Sequence, residues 1–174
     1  MRRRVVATLV FLGSLSLLSV VDAVSAQAGE FEVGAQGIHH YGLSGVITKI
    51  RSGMLFVSPR AGLQPRTISP VKADRVGLHQ AQVGEAVNLL VDSGNVLLDV
   101  SNGDRPIPDH RFVKGTLRYA DPYWGEIQLS TPDGPYSFEV DALVGNKLST
   151  IREGLPVLVE LDSDNVMIDI QKTR

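Results

Sequence analysis

The chain has 174 residues, of which 43% are hydrophobic and 21% charged, and its 17 basic and 19 acidic residues give a formal net charge of -2. It contains no cysteine, which excludes a disulfide scaffold, a cysteine-ligated zinc or iron–sulfur centre and a cysteine nucleophile. The near-neutral charge also excludes the strongly basic class of nucleic-acid binders.

Residues 1–26 have the order of a secretory signal peptide. Three consecutive arginines precede an uncharged, mostly apolar run from 5 to 21, and small residues follow it. Cleavage is predicted after Ala26 or after Ala28, and the pattern leaves both open. An uncleaved anchor is the alternative, but a membrane-spanning helix needs about 20 apolar residues. We expect a periplasmic or secreted protein without stable membrane insertion after cleavage, since a bacterial envelope accommodates domains that lack disulfides.

Residues 27–42 are polar and glycine-rich and are predicted to form a flexible leader, with docking through Phe31, Ile38 and Tyr41 as the alternative. Beyond them the chain repeats itself at an offset of 70 residues, and the blocks 83–100 and 153–170 share seven of 18 positions. Two diverged copies of one unit are therefore predicted at 43–101 and 113–171, joined by a proline-containing linker at 102–112.

Within each copy, apolar residues alternate with polar ones in five short segments, which is typical of half-buried strands. A short irregular or one-turn helical stretch separates the third and fourth segments. The sequence thus predicts an all-β protein made of two tandem five-stranded small barrels, OB-like or SH3-like. A unit of this size buries only about 60% of its unfolded surface. We therefore expect the two copies to pack on each other.

Turn residues occupy equivalent places in the two copies. Asp92 and Asp162 each begin the turn between the last two strands, and a paired turn position favours a structural Asx turn over a metal or catalytic role. Glycines that precede the fourth strands are likewise predicted to lie in turns. Gly45 and Gly115 fall inside the first strands and indicate a bulge or sharp bend where a small barrel closes.

A series of the form Gly-Val-x-x-x-Ile, then Val-Gly-Glu-x-Val-x-x-x-Val-Asp-x-x-Asn-Val, occurs here at 45–50 and 83–96. It resembles small exported bacterial β-barrel domains of unknown function. The general layout is also similar to that of the OB-fold copper chaperones of periplasmic Cus-type efflux systems. Those chaperones hold copper through a Trp-Pro-x-Met-x-Met segment and a histidine, whereas Trp124 is followed here by glycine, glutamate and isoleucine. The resemblance implies the fold and the compartment.

The four histidines, His39, His40, His79 and His110, lie beside no nucleophile elbow or helical metal motif. No phosphate loop or dinucleotide fingerprint occurs either, so a protein without catalysis or cofactor is predicted. His40 and His110 occupy equivalent positions just before the first strand of each copy. Their imidazoles would converge if the copies packed with approximate two-fold symmetry, with His39 as a third nitrogen. Polar histidines at a domain junction are the favoured interpretation over a metal site.

Aromatic residues are concentrated in the second copy. Tyr123 and Trp124 follow Asp121 and Pro122 in the first hairpin, where an OB-type barrel often presents ligand-stacking residues. The alternative is that they cover an open barrel end or the junction between the copies. The candidate partner-binding residues are Tyr119, Tyr123, Trp124 and Tyr136.

Charge is divided unevenly between the copies. The first has six basic and four acidic residues, net +2, and the second has four basic and ten acidic residues, net -6. Binding of single-stranded nucleic acid combines a basic groove with stacking aromatics in one module. Because the basic copy lacks the aromatics and the aromatic copy is acidic, nucleic-acid binding is disfavoured.

These observations predict an exported, non-catalytic binding or assembly module of the bacterial envelope. Its partner is expected to be another envelope protein or a polysaccharide, contacted through the aromatic second copy. The alternative function is a periplasmic metal-binding or carrier protein that uses His40 and His110, with a methionine as a further ligand.

Overall fold

The computed structural model describes residues 30–33, 38–60 and 64–173. The predicted signal peptide, 1–26, lies outside the described residues. Within these ranges, no helix has the length and apolar character that a membrane crossing requires. The described chain forms two antiparallel sheets, one for each predicted copy.

The first sheet and its helix comprise the following elements: β1 (Glu30–Val33), β2 (Ile38–Arg51), β3 (Met54–Pro59), β4 (Arg66–Ile68), α1 (Pro70–Arg75), β5 (Ala86–Asp92) and β6 (Leu97–Asn102). The second copy comprises β7 (Arg111–Asp121), β8 (Glu126–Thr131), β9 (Gly134–Glu139), a 3₁₀ turn (Ala142–Val144), α2 (Gly145–Leu148), β10 (Pro156–Leu161) and β11 (Met167–Lys172). The all-β prediction with five strands in each copy is confirmed.

Both sheets have the same strand order. The order is β4-β3-β2-β5-β6 in the first copy and β9-β8-β7-β10-β11 in the second, so the first strand of each copy lies at the centre. A short helical segment follows the third strand in both. In the second copy a parallel bridge between Val140 and Met167 brings the third and fifth strands together, which gives the sheet a barrel-like curl.

The prediction that 27–42 is a flexible leader is wrong for its described part. β2 begins at Ile38, before the predicted start of the first strand, and β1 pairs with it antiparallel. On its other side, the same stretch pairs with β5, where His40 lies opposite Asp92. The pairing is made by backbone groups, which need no apolar alternation. The polar composition of this segment therefore hid the beginning of β2 from a prediction based on apolar alternation.

Strand register reveals a difference between the copies that the constant offset hides. Ile47 lies opposite Val57, whereas the equivalent Leu117 lies opposite Leu129. The offset is therefore 70 for the first strands and 72 for the second strands, and it returns to 70 at the third strands. The first hairpin of the second copy is two residues longer, and the following connection is correspondingly shorter.

Each sheet packs on its own apolar core. The first core includes Ile47, Val57, Leu89 and Val100, and the second includes Leu117, Leu129, Val159 and Ile170. Gly45 and Gly115 lie where the central strands are closely approached by their neighbours, and the register shifts of these strands follow at Ile47–Lys49 and Leu117–Tyr119. A Cβ atom at Gly45 would lie 2.6 Å from Val57 Cγ1, and one at Gly115 would lie 2.8 Å from the carbonyl oxygen of Ser130. Only glycine permits such close strand approach.

The predicted Asx turns are present in both copies. Asp92 Oδ1 accepts a hydrogen bond from the backbone N–H of Val96 at 2.7 Å, and Asp162 Oδ1 accepts the equivalent bond from Val166 at 2.9 Å. The asparagines in these turns adopt φ values of 63° and 62°. The glycines before the fourth strands also have positive φ, 96° and 84°.

The two copies pack on each other through a small apolar cluster. It joins Leu90 and Leu98 of the first copy to Ile168 of the second, with Ile107 of the linker against it. The cluster is too small to form a third core, and charged groups surround it. The junction between the copies is therefore largely polar, and many of the buried charged side chains of the described residues lie in it.

Candidate functional site

A buried network of charged side chains, here called the seam, joins the two copies. It contains two histidines, six carboxylates and three lysine or arginine side chains: His40, Lys72, Arg75, Asp92, Asp99, His110, Asp141, Lys147, Glu160, Asp162 and Asp169. All six carboxylates are buried. Burial of this many charges is costly unless each finds a partner.

The outer ion pairs of the seam follow an approximate two-fold relation. Arg75 at the end of α1 places Nε 3.1 Å from Asp162 Oδ2, and Lys147 on α2 places Nζ 2.6 Å from Asp92 Oδ2. The short helix of each copy thus reaches the turn aspartate of the other. One carboxylate oxygen of each aspartate makes the predicted Asx-turn bond. The other oxygen forms an ion pair with a basic side chain of the other copy.

Lys72 is buried on α1 and crosses the seam. Its ammonium group donates to the carbonyl of Leu98 and, at 3.0 Å, to Asp141 Oδ2, which also accepts from Arg75 at 2.7 Å. Although burial by itself would raise the pKa of Asp141, the charge of Lys72 and the hydrogen bonds from Leu143, Lys72 and Arg75 lower it below its usual value. Asp141 is therefore held in its ionised form.

His110 lies between carboxylates of both copies. Its Nδ1 is 2.6 Å from Glu160 Oε1, and its Nε2 is 3.2 Å from Asp99 Oδ2. Burial opposes the charged form, but the hydrogen bonds to Asp99 and Glu160 raise the pKa of His110 to about 9. The imidazolium is therefore the stable form at neutral pH.

His40 lies on the other side of Glu160. Its side chain is 1% exposed, and its Nε2 is 3.3 Å from Glu160 Oε2 and 4.0 Å from Asp169 Oδ2. Neither ring nitrogen has a hydrogen bond of good geometry to the described residues. The two histidines thus converge on one carboxylate. The sequence had left open whether His40 and His110 meet. His39 is exposed and does not join them.

Asp169 is fixed by groups around it. Lys147 Nζ and the backbone N–H of Ile170 donate to Oδ1 at 2.5 and 2.8 Å, and Gln171 Nε2 donates to Oδ2 at 3.1 Å. Burial alone would raise the pKa of Asp169, but the imidazole of His40 and the hydrogen bonds from Lys147 and Gln171 lower it. The carboxylate that faces His40 is therefore ionised.

Glu160 was not among the candidate residues of the sequence. At an offset of 70 its counterpart is Leu90, so an acidic residue stands where the first copy has a leucine, in a strand that is otherwise apolar after its first residue. That mismatch was the available signal. It became meaningful only when the fold placed the strand against the first copy.

The predicted aromatic residues fall into separate places. Tyr123 and Trp124 lie together at the turn between β7 and β8, 87% and 78% exposed, with an edge-to-face centroid distance of 5.3 Å. Tyr119 lies opposite Gln128, away from the core, whereas Tyr136 stacks on the core residue Phe138. The structure brings two of the four residues into one group, which we call the aromatic tip (Tyr123 and Trp124).

A polar cleft of about 520 Å³ runs between the copies at the edge of the seam. Arg75, Asp99 and Asp162 of the seam line it, together with Asp104 and Arg105 of the linker. Asp99, which contacts His110, lines the cleft, whereas His40 does not. The cleft therefore gives solvent access to part of the network and leaves His40 enclosed.

No protein-family model matches the chain, and no curated protein matches it. The seam and the aromatic tip are therefore interpreted from their own geometry and chemistry.

Proposed function

We propose that the protein is an exported, non-catalytic binding or assembly module of the bacterial envelope that contacts its partner through the aromatic tip. The observation that carries the proposal is the exposure of two large aromatic rings on a hairpin that is two residues longer than its counterpart. Exposed, pre-positioned tyrosine and tryptophan side chains are the residues that most often dominate binding energy at interfaces.

The backbone of the tip is held in place without help from a partner. Asp121 Oδ1 accepts hydrogen bonds from the backbone N–H groups of Tyr123 and Trp124, both at 2.9 Å. These bonds, with one from the Tyr119 hydroxyl to Oδ2, lower the pKa of Asp121. Gly125 completes the turn with a φ of 66°. A pre-ordered tip loses little conformational entropy when it binds.

The equivalent hairpin of the first copy has no such feature. It turns through Ser52 and Gly53, with φ values of 51° and 75°, and the turn carries no aromatic residue; the apolar side chains exposed beside it are Ile50 and Met54. A two-residue turn is sufficient to join these strands. The longer, aromatic version is therefore not required by the fold, which supports a role in recognition.

Acidic residues flank the tip and restrict the partner. In the strand register Asp121 lies opposite Glu126, which lies opposite Glu139 on β9. This row of carboxylates repels polyanions and favours a neutral or basic surface. An envelope protein or an uncharged polysaccharide meets that condition, whereas nucleic acid does not.

An OB-like subtype, secretion by the N-terminal segment and a periplasmic location belong to the same proposal. The helix between the third and fourth strands and the parallel bridge between the third and fifth strands support the OB-like subtype. The arginine-led apolar run at 1–26 supports export.

The proposal is tested by capture from a bacterial envelope extract with immobilised protein. The matched variants are Trp124→Ala at the tip and Met54→Ala at the equivalent hairpin of the first copy. We expect a specific component to be retained by the wild-type protein and by Met54→Ala, and its affinity for Trp124→Ala to fall at least about tenfold. Because Trp124 is the single tryptophan, its fluorescence reports binding of a purified protein or polysaccharide directly. Equal retention by Trp124→Ala would contradict the proposal.

A metal carrier is the alternative function, and the convergence of His40 and His110 on Glu160 is the observation in its favour. A carrier must pass its ion to an acceptor, and these groups are buried. Met54 lies at a hairpin of the first copy and Met167 in the second core, so neither adds a ligand at the seam. Because the ligand groups of the seam are buried, they are better suited to a permanently bound ion than to one that is passed to an acceptor.

A further inference from the structure

The seam contains three metal-ligand groups that face one another across the two copies. One ligand atom each from His40, Glu160 and Asp169 can be chosen so that all lie within 4.8 Å of one another, and all three residues are buried. An imidazole and two carboxylates are ligands that first-row divalent transition metals accept. The set takes one residue from the first copy and two from the second.

His40 is the independent observation that points to an ion. The ring is completely buried, its Nε2 is directed at Glu160 Oε2, and neither ring nitrogen makes a hydrogen bond of good geometry to the described residues. A buried polar group without a hydrogen bond is energetically unfavourable. A metal ion bound through Nε2 removes that cost at this nitrogen.

Comparison of the two copies shows that Glu160 is the one ligand of the set without an equivalent in the other copy. His40 beside Asp169 corresponds to His110 beside Asp99, so this pair is present twice in the seam. Glu160 is present once, because its counterpart is Leu90 in the apolar cluster between the copies. The first copy shows that a leucine satisfies the fold at this position. The glutamate therefore lies between the two pairs, with Oε1 towards His110 and Oε2 towards His40, where Oε2 adds a third ligand beside the His40–Asp169 pair.

The charge balance of the seam favours a cation. Its six carboxylates face three lysine or arginine side chains, so three negative charges are uncompensated before the histidines are counted. Even with both imidazoles protonated, one negative charge remains. A divalent ion reduces the excess from three charges to one without any histidine proton.

The distances fit a small ion after a modest contraction. Ligand atoms about 2.0–2.2 Å from a tetrahedral zinc ion lie about 3.3 Å apart. The separation between His40 Nε2 and Glu160 Oε2 already has that value, 3.3 Å, and Asp169 Oδ2 at 4.0 Å has to approach slightly. The remaining carboxylate oxygens are held by His110 and Lys147, which is the arrangement that orients metal ligands.

We propose that one divalent transition-metal ion, of the zinc class, binds to His40, Glu160 and Asp169 and links the two copies as a structural ion. Because the ligands are enclosed, the ion enters during folding or when the seam opens, and its exchange is slow. The proposal is independent of the aromatic tip, and its failure would leave the binding function untouched.

The test uses tag-free purified protein and Zn²⁺ as the probe. Elemental analysis of the native protein is followed by unfolding in guanidinium with a chelator and refolding with or without Zn²⁺. We expect one Zn²⁺ per chain after refolding and a rise in the thermal midpoint of about 5–10 °C at a free concentration 100 times the dissociation constant.

Variants separate a specific site from general zinc binding. Glu160→Gln preserves size and an acceptor for His110, and His40→Gln removes the imidazole, so both are expected to fold and to bind Zn²⁺ at least about tenfold more weakly. His79→Gln, at an exposed histidine, serves as the control and should behave as the wild type. A wild-type midpoint that is insensitive to Zn²⁺, or an equal response of Glu160→Gln, overturns the proposal.

Discussion

Single residues of this protein differ in how far their roles depend on distant partners. Asp92 and Asp162 bond backbone groups four residues away, so their turn role was predictable from local spacing. Glu160 contacts histidines that are 50 and 120 residues away along the chain. Its role depends on the packing of two sheets, which the pattern within its own strand does not reveal.

Gly45 provides a residue-level test of the close approach between β2 and β3. Replacement by alanine would place Cβ 2.6 Å from Val57 Cγ1, so the central strands would have to separate. We expect Gly45→Ala to lower the free energy of unfolding by about 1–3 kcal/mol, measured by chemical denaturation.

The control for this substitution is Gly145→Ala. Gly145 lies at the start of α2 with a φ of -52°, and a Cβ there meets nothing within 4 Å. Alanine at such a position is expected to be neutral or to stabilise by about 0.4–1 kcal/mol. Similar destabilisation by both substitutions would show that the close approach at Gly45 is not the cause.

At the scale of elements, alternation predicted the ten strands of the two copies because each buries one face against its own core. It missed β1 and the beginning of β2, where backbone pairing is made by polar segments. It also missed the extra length of the aromatic hairpin, since an insertion in one loop and a deletion in the next restore the same offset. Only strand register separates these two changes.

The turn between β10 and β11 allows the two roles of Asp162 to be separated. Asparagine retains the oxygen that accepts from Val166 and removes the charge that faces Arg75, whereas alanine removes both. We expect Asp162→Ala to be more destabilising than Asp162→Asn by about 1 kcal/mol, the contribution of a typical hydrogen bond. Denaturant unfolding of the two variants measures this difference. If the two variants unfold at the same denaturant concentration, the turn bond contributes nothing.

At the scale of the whole molecule, the copies are joined more by charge than by apolar surface. Asp141 is central to this junction, because it belongs to the second copy and binds Lys72 and Arg75 of the first. Breaking a buried ion pair by removing one partner costs about 3–5 kcal/mol. The stability of the junction is therefore expected to depend on the ionisation of Asp141.

The pH dependence follows from the lowered pKa of Asp141. The unfolded chain binds a proton at this residue more readily than the folded chain, so the contribution of Asp141 is complete above its unfolded pKa, 3.8. It is lost as the pH falls from there through the folded pKa. We expect Asp141→Asn to be clearly less stable than the wild type at pH 7, and the difference to shrink below about pH 4.

Urea unfolding at a series of pH values between 7 and 3 measures this convergence. Asp133→Asn, at an exposed turn of the second copy, is the control and should run parallel to the wild type. A difference between Asp141→Asn and the wild type that stays constant down to the lowest pH would contradict the assigned role.

The sequence by itself determined the two copies, their strands, their Asx turns and their aromatic asymmetry. These features depend on local spacing and on alternation against a core that each copy builds alone. Tertiary structure decided the seam: the convergence of His40 and His110, the position of Glu160 between them, and the second role of the turn aspartates. The physical reason is that these contacts join side chains of different copies across a junction. Their geometry depends on how two finished sheets dock, which no pattern within either sheet specifies.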